Sequence, residues 1–343
     1  MEKNSNKAAI IIFSLLFTLI FGLAVYLFFF DKSETSKSVF DIPANAFSPA
    51  EITTVTYSAN AVDNSAKAPS GVIDVGAKGS AQGKIIEKYF SPYTANTSYK
   101  NIYLKNNTDL KIDISALMKA ELQYSIVKNS SPQVLIIHTH ATESYFSGNR
   151  DYYTDKDLTR TTDTSKNVVS LGKIVAGKLN AAGISTIHDK TLHDHPSYND
   201  SYPNAAKTIT SQIAKNKNIK VVIDIHRDAI ASGEKDKIKL TKTVNGKSAA
   251  QIMLVMGSQS GSVKNFPKYL ENLKLAVRIQ EKLESRYPGL ARAVSLMPRN
   301  YNESLTTGSV LIEIGTDANS LEEAQYSAGL LGNALAELFS ELG

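Results

Sequence analysis

Three side chains that can bind a metal, His138, His140 and Glu143, come directly after an apolar run, residues 134–137. His140 and Glu143 have the spacing His-x-x-Glu, which lets an imidazole and a carboxylate reach one cation if the chain turns after a strand. Together with a third, distant ligand, such a pair leaves the fourth position of a zinc ion open for water, as zinc hydrolases require. The pattern is weak alone, so the partners elsewhere in the chain decide its meaning.

Two further apolar runs end in residues of the same kinds. Residues 221–223 lead to His226, and residues 310–312 lead to Glu313. Open α/β sheets bind their ligands at the carboxyl ends of the strands. The sequence therefore predicts that these side chains meet at one edge of a sheet.

We interpret His140, Glu143 and His226 as zinc ligands, and surface or packing roles as their alternative. Glu313 is then the candidate general base, which takes a proton from the attacking water and returns it to the leaving nitrogen. For Glu313 the alternatives are capping of the following helix or pairing with an arginine.

Three more polar residues are candidates for positions near these ligands. His138 lies two residues from His140 and would point to the same side of a continuing strand, so either could be the ligand; we interpret His140 as the ligand. His138 is assigned a place behind the ligands or in contact with substrate, and His193 and Asn302 are assigned to the same group. His193 lies in a loop with His195, where plain exposed loop histidines are the alternative.

Composition excludes several other classes of site. The chain of 343 residues has no cysteine, so thiolate zinc ligands and cysteine nucleophiles are absent. Residues 226–228 spell the His-Arg-Asp of a kinase catalytic loop, but no Gly-rich loop or Asp-Phe-Gly accompanies them, and no Gly-x-Ser-x-Gly elbow is present. The net charge is +5, but the sequence contains no dense run of Lys and Arg, so it gives no support for a surface that binds nucleic acid.

The N-terminal residues have the character of a membrane anchor. Residues 8–30 carry no charge, and roughly 20 apolar residues span a bilayer as a helix. The run is longer than the core of a cleavable signal peptide, which favours an uncleaved anchor. Lys3 and Lys7 precede it and favour a cytoplasmic segment over residues 1–7, with everything after the anchor outside the membrane; the opposite orientation is the alternative.

The remaining sequence divides into a spacer and one large domain. Residues 31–97 are rich in Ser, Ala, Thr, Asn and Lys and predict a mostly flexible extracytoplasmic stalk, with a small folded module as the alternative. Residues 98–343 alternate strand-like and helix-like stretches, which predicts an α/β fold with a mostly parallel sheet flanked by helices. We expect strands at 134–137, 184–187, 221–225 and 310–314, helices at about 168–179, 205–213, 270–283 and 321–338, and a hairpin over 236–256.

Taken together, these motifs resemble the stage II sporulation protein P family of membrane-anchored peptidoglycan hydrolases. The matching segments occur in the family's order and are residues 138–145, 193–199, 224–228 and 311–324. One departure is visible: where the family is expected to continue with Gly-Ser-Tyr and an arginine, residues 200–204 read Asp-Ser-Tyr-Pro-Asn.

The resemblance implies a zinc-dependent N-acetylmuramoyl-L-alanine amidase, also credited with endopeptidase activity, that acts on the septal wall during engulfment in sporulation. It implies a complex with a lytic transglycosylase, stage II sporulation protein D, and a membrane scaffold, stage II sporulation protein M. In this interpretation Arg227 steadies the oxyanion or a stem-peptide carboxylate, with pairing to Asp228 or Asp224 as the alternative. The competing functions are an anchored zinc carboxypeptidase or deacylase on wall peptides, and a wall-binding scaffold without catalysis.

Overall fold

The structure, a computed structural model, describes residues 80–343. The predicted cytoplasmic segment, the anchor over 8–30 and residues 31–79 of the predicted stalk lie outside the described residues. In chain order the elements are β1 (Ala81–Lys88), β2 (Thr97–Tyr99), β3 (Ile102–Asn106), α1 (Ile114–Lys119), β4 (Asn129–Ile137), β5 (Tyr152–Thr154), α2 (Val168–Ala181), β6 (Ile184–His188), α3 (Ser201–Lys215), β7 (Val221–Asp228), β8 (Ala231–Ser232), β9 (Asp236–Val244), β10 (Lys247–Ala250), β11 (Ile252–Gly257), α4 (Tyr269–Arg286), β12 (Val294–Met297), β13 (Ser309–Thr316) and α5 (Leu321–Glu341).

An eight-stranded mixed sheet forms the centre of the fold, in the order β2-β3-β12-β11-β13-β7-β4-β6. Five of its seven neighbouring pairs are parallel, and the pairs β2–β3 and β11–β13 are antiparallel. Every residue of β7 and β13 is buried, as expected for strands covered on both faces. Since β4, β7 and β13 run parallel, their carboxyl ends share one edge of the sheet.

Helices cover both faces of this sheet, as the sequence predicted. The side chains of Val134 and Ile136 pack into one core with α2, α4 and α5. Leu135 and Ile137 point to the opposite face and pack with Ile209 of α3. The alternation along β4 therefore fixes a three-layer arrangement of helix, sheet and helix.

A smaller second sheet contains the strands β10-β9-β1-β5, with β8 paired to β9. The predicted hairpin is only partly right. β9 and β10 do form a hairpin around Asn245 and Gly246, both with positive φ, but β11 leaves it and joins the central sheet. The six residues of β11 are all buried, which an exposed hairpin arm would not allow.

The predicted end of the stalk at residue 97 is also corrected. β1, within the predicted stalk, pairs in parallel with β9 and buries Ile85. The polar composition around β1 hides this pairing, because only one of its eight residues is buried.

The last helix begins as predicted. Ser320 and Glu323 form a complete capping box at the start of α5, which satisfies two backbone N–H groups. Among residues 80–343, no helix combines the length and the apolar character needed to cross a bilayer.

Candidate active site

The four residues of the predicted centre come together at the carboxyl edge of the central sheet. His140 and Glu143 follow β4, His226 lies in β7, and Glu313 lies in the adjacent β13, where it is paired in register with His226. The rings of His140 and His226 lie 5.3 Å apart and perpendicular to each other. All four side chains belong to buried residues.

His226 lies between two carboxylates. Its Nδ1 is 3.5 Å from Oε2 of Glu143, and its Nε2 is 3.0 Å from Oδ1 of Asp224, the latter without the alignment of a hydrogen bond. Burial opposes protonation of His226, but the negative charges of Asp224 and Glu143 outweigh it and raise its pKa well above the ordinary value. Without a metal, therefore, a proton on His226 balances part of the negative charge.

Asp224 is itself held firmly. The backbone N–H of Thr139 donates to its Oδ1 at 2.8 Å, and the Thr139 hydroxyl donates to its Oδ2 at 2.5 Å. Burial would raise the pKa of Asp224, but the charge of His226 and these hydrogen bonds hold it far below the usual range. Asp224 is therefore an ionised partner that orients His226.

Several polar atoms of the cluster are buried and have no hydrogen-bond partner in the part of the chain that the structure describes. They are Nδ1 of His140, Nε2 of His226 and Oε2 of Glu313. Burial lowers the pKa of His140 to about 3, so its imidazole is neutral. Burial raises the pKa of Glu313 to about 8; the charge of His226 opposes this rise, and Asp228 and Glu143 add to it.

The side chains of His140, Glu143 and His226 are of the types that bind zinc. A neutral imidazole with an unpartnered nitrogen, an ionised carboxylate and a second imidazole between carboxylates are donors that zinc prefers. Zinc binding would displace the proton from His226, since a metal ligand must be unprotonated. Over residues 80–343, no three His, Asp or Glu side chains are already grouped as a metal cage.

His138 is engaged elsewhere, which separates it from His140. Its Nδ1 contacts the carbonyl of Ile225 at 3.0 Å, and its Nε2 contacts Nε2 of His188 at 2.9 Å. The two imidazoles lie edge to face under α2, where a Cβ on Gly172 would fall 2.5 Å from Nε2 of His138. His138 therefore contacts β7 and His188, and both of its ring nitrogens are already used.

His193 is a buried residue and not an exposed loop histidine. Its Nδ1 contacts the carbonyl of His138 at 2.8 Å, and its Nε2 contacts the hydroxyl of Thr208 on α3 at 2.9 Å. His195 of the same loop is exposed. The two histidines of this loop therefore have different surroundings, and His193 ties the end of β4 to α3.

Asn302 reaches the cluster through an intermediate residue. Its Nδ2 donates to the carbonyl of Tyr202 at 2.9 Å, and the ring of Tyr202 meets that of His140 edge to face, with 5.6 Å between centroids. The backbone of Asn302 is left-handed, with φ 60°. Asn302 thus fixes an aromatic neighbour of a candidate ligand.

The guanidinium of Arg227 is bound to the backbone. Its Nε donates to the carbonyl of Ser144 at 3.0 Å, Nη2 donates to that of Thr159 at 2.6 Å, and Nη1 donates to that of Asp228 at 3.4 Å. The backbone N–H of Arg227 donates to Oε2 of Glu143 at 3.1 Å. Arg227 thus joins the segment after β4 to β7 and helps to position Glu143.

Two residues that the sequence did not single out border the cluster. The ring of Tyr198 stacks on that of His140 at 4.6 Å and 10°, with its hydroxyl 3.4 Å from Nε2. The guanidinium of Arg160 also lies over the ring of Tyr198, 4.6 Å from the ring centre. Tyr198 belongs to the segment 193–199 that carries the family resemblance, whereas Arg160 lies in a loop without any visible motif.

The fold and the site define an α/β protein with a buried cluster of histidine and glutamate side chains at the carboxyl ends of three neighbouring parallel strands. The model of the family described as Stage II sporulation protein P matches residues 54–336. The chain belongs to the stage II sporulation protein P family, which confirms the resemblance seen in its motifs.

Individual relatives give the extent of this similarity. The chain is 35% identical over 224 residues to Stage II sporulation protein P of Bacillus subtilis (strain 168), a match that covers 61% of this chain and 50% of that protein. The chain thus matches about half the length of this curated relative.

Solved structures of amidases are also similar, but weakly. The N-acetylmuramyl-L-alanine amidase Ami1 of Mycobacterium smegmatis is 14% identical, covers 62% of this chain and 99% of its own, and gives a TM-score of 0.35. The CwlD amidase of Clostridioides difficile, solved with the GerS lipoprotein, is 15% identical, covers 61% and 99%, and gives a TM-score of 0.36.

Proposed function

We propose that this protein is a zinc-dependent peptidoglycan hydrolase that cuts the amide between the muramoyl lactyl group and the first residue of the stem peptide. One observation carries the proposal: His140, Glu143, His226 and Glu313 converge at one sheet edge in a member of the stage II sporulation protein P family. All four residues belong to the segments that carry the family resemblance.

The ligands would be His140, Glu143 and His226. When bound there, zinc supplies a Lewis acid that polarises the scissile carbonyl and makes a water molecule more acidic. Asp224 keeps His226 in place, and the stacked ring of Tyr198 keeps His140 in place. Burial of these groups excludes bulk water, which strengthens each electrostatic contact.

Glu313 moves the proton in this mechanism. The charge of a zinc ion held by the neighbouring ligands would lower the raised pKa of Glu313 and favour its ionised form. The ionised carboxylate accepts a proton at Oε2 from the attacking water while the water oxygen bonds to the carbonyl carbon. The same proton then passes to the leaving nitrogen as the carbon–nitrogen bond breaks, so Glu313 returns to its starting state. This role rests on the register of Glu313 with His226 and on its buried, unpartnered oxygen.

The cellular setting is part of the proposal. Residues 8–30 anchor the chain in the cell membrane, the catalytic domain lies outside, and the enzyme degrades the septal wall during engulfment. Stage II sporulation proteins D and M are its proposed partners. Protease added to intact cells without their wall should digest the C-terminal domain; protection of that domain would reverse the proposed orientation.

Mass spectrometry of the fragments released from purified sacculi identifies the reaction. Stem peptides that are intact and begin with a free amino-terminal alanine are the expected product. Cleaved cross-links would reveal the endopeptidase activity as well. Peptides shortened only at the carboxyl end would instead show a carboxypeptidase, and sacculi bound without any release would show a scaffold.

A further inference from the structure

Arg160 is a partly exposed cation beside the buried cluster. It lies opposite Glu143 in an isolated antiparallel bridge, in the loop between β5 and α2. Its side chain is 34% exposed, whereas those of its partners Glu143 and Asp194 are 7% and 0% exposed. A ligand that approaches the cluster from solvent can therefore reach this guanidinium.

Nη1 of the guanidinium donates hydrogen bonds, whereas the edge formed by Nε and Nη2 donates none within residues 80–343; we call the latter the free edge. Nη1 donates to Oδ2 of Asp194 at 2.7 Å and to the hydroxyl of Thr142 at 3.2 Å. Nη2 lies 3.5 Å from Oε1 of Glu143 without a hydrogen bond, and neither Nη2 nor Nε donates a hydrogen bond to any residue from 80 to 343. The Nε–Nη2 edge of an arginine matches the two oxygens of a carboxylate.

The free edge is held in a fixed orientation. The guanidinium rests on the ring of Tyr198, which in turn stacks on His140, and its ion pair with Asp194 ties the opposite edge to a buried carboxylate. A fixed side chain loses little conformational entropy when it binds a ligand. Because Asp194 offsets much of its charge, recognition would depend on two directed hydrogen bonds more than on long-range attraction.

We propose that Arg160 binds a free carboxylate of the stem peptide and thereby selects peptides that carry one near the cut. This inference rests on the proposed function and names a specificity determinant for it. The carboxylate would belong to the first or second residue beyond the scissile amide, since Arg160 lies 3.5 Å from a candidate zinc ligand and one extended residue spans about 3.3–3.6 Å. Arg227 does not serve this purpose, because its guanidinium is bound to three backbone carbonyls.

The test uses two synthetic muramoyl peptides that differ only in whether the carboxylate of the second residue is free or amidated. The whole chain, purified in detergent, should hydrolyse the free carboxylate with a kcat/KM roughly 10-fold or more higher, mainly through KM. Arg160→Lys keeps a positive charge beside Asp194 but loses the planar guanidinium that can donate two parallel hydrogen bonds to a carboxylate. The preference for the free carboxylate should therefore fall about 10-fold, while the zinc content stays unchanged. Arg160→Gln should abolish the preference.

Arg286→Gln is the matched control, because Arg286 is an exposed arginine at the end of α4 that pairs with Glu337 of α5. It should keep the preference of the unaltered chain. Equal preference in the unaltered chain and both Arg160 variants, with activity intact, would overturn the assignment.

Binding separates this inference from the proposed function. Affinity for both peptides is measured on Glu313→Gln, alone and combined with Arg160→Lys. One outcome is that the unaltered chain hydrolyses neither peptide, while the peptide with the free carboxylate binds about 10-fold more tightly and Arg160→Lys removes this difference. The role of Arg160 in binding is then supported, and the proposed reaction is refuted. If hydrolysis occurs without any preference in rate or binding, the reaction stands and the role of Arg160 is refuted.

Discussion

Glu313 on β13 and His226 on β7 occupy paired positions in adjacent parallel strands. Residues paired in this way project to the same face of a sheet, so strand register alone brings the carboxyl beside the imidazole. Glu313 is buried and one of its oxygens has no partner within the described residues. Such a carboxyl is costly to keep in a fold unless another group uses it, which agrees with a role in proton transfer.

Replacing this carboxyl tests that role. Glu313→Gln should reduce wall hydrolysis by about 10²–10⁴-fold, because an amide cannot accept the proton of the attacking water. Zinc content and thermal stability should be retained. The matched control is Glu284→Gln, which changes a buried glutamate of α4 that accepts hydrogen bonds from the backbone of Gly289 and Ala291. Equal activity in all three proteins would exclude Glu313 from the reaction.

Loss of His226 should have a different effect. His226→Ala leaves the buried carboxylates of Asp224 and Glu143 without the cation between them, which costs on the order of 3–5 kcal/mol of stability in the metal-free protein. His226→Ala should also lose zinc, whereas Glu313→Gln should keep it. Plasma mass spectrometry of both variants measures the zinc content. A variant that binds zinc as well as the unaltered chain would remove His226 from the ligand set.

The contact of Gly172 with two histidines predicts a contrast within one helix. In Gly172→Ala the new methyl would meet Nε2 of His138 at 2.5 Å and Nε2 of His188 at 2.6 Å, which should cost about 1–3 kcal/mol. Gly177 lies on an exposed position of the same helix with nothing within 4 Å, so Gly177→Ala should stabilise by about 0.5–1 kcal/mol. Urea denaturation of both variants measures the difference, and equal effects would contradict the packing of the histidine pair.

Glu303 predicts a pH dependence of stability. Burial raises its pKa well above the ordinary value, and its Oε2 accepts a hydrogen bond from the N–H of Gly257 at 2.7 Å. Because the folded state favours the protonated acid, its stabilising contribution is complete below the unfolded pKa and is lost as the pH rises through the folded pKa. The free energy of unfolding should therefore fall between pH 5 and pH 8.

Glu303→Gln keeps an acceptor for Gly257 and removes the titration. The stability of the variant relative to the unaltered chain should rise from pH 5 to pH 8, by at most about 1.4 kcal/mol for each pH unit. Urea denaturation at both pH values measures this gain. An identical pH dependence in both proteins would show that Glu303 does not contribute.

The sequence predicted those parts of the fold that depend on local pattern. The apolar runs of β4, β7 and β13 and the capping box at Ser320 are local signals, and the structure confirms them. β1 could not be predicted, because its pairing with β9 is a contact between residues about 150 positions apart and leaves most of its side chains exposed.

The same distinction applies to the site. Apolar strands followed by histidine and glutamate were enough to predict the cluster, but the choice between His138 and His140 depends on His188, a partner 50 residues away. Arg160 could not be predicted from its neighbours in sequence, because the contacts that fix its side chain are with Tyr198 and Asp194 in another loop.

Zinc content and hydrolysis measured on the same samples of the whole chain test the central claim most directly. The purified protein should hold about one zinc ion per chain and release stem peptides from sacculi. Removal of the ion by a chelator should abolish this release, and addition of zinc should restore it. A chain that is free of metal and still hydrolyses the wall at full rate would contradict the account.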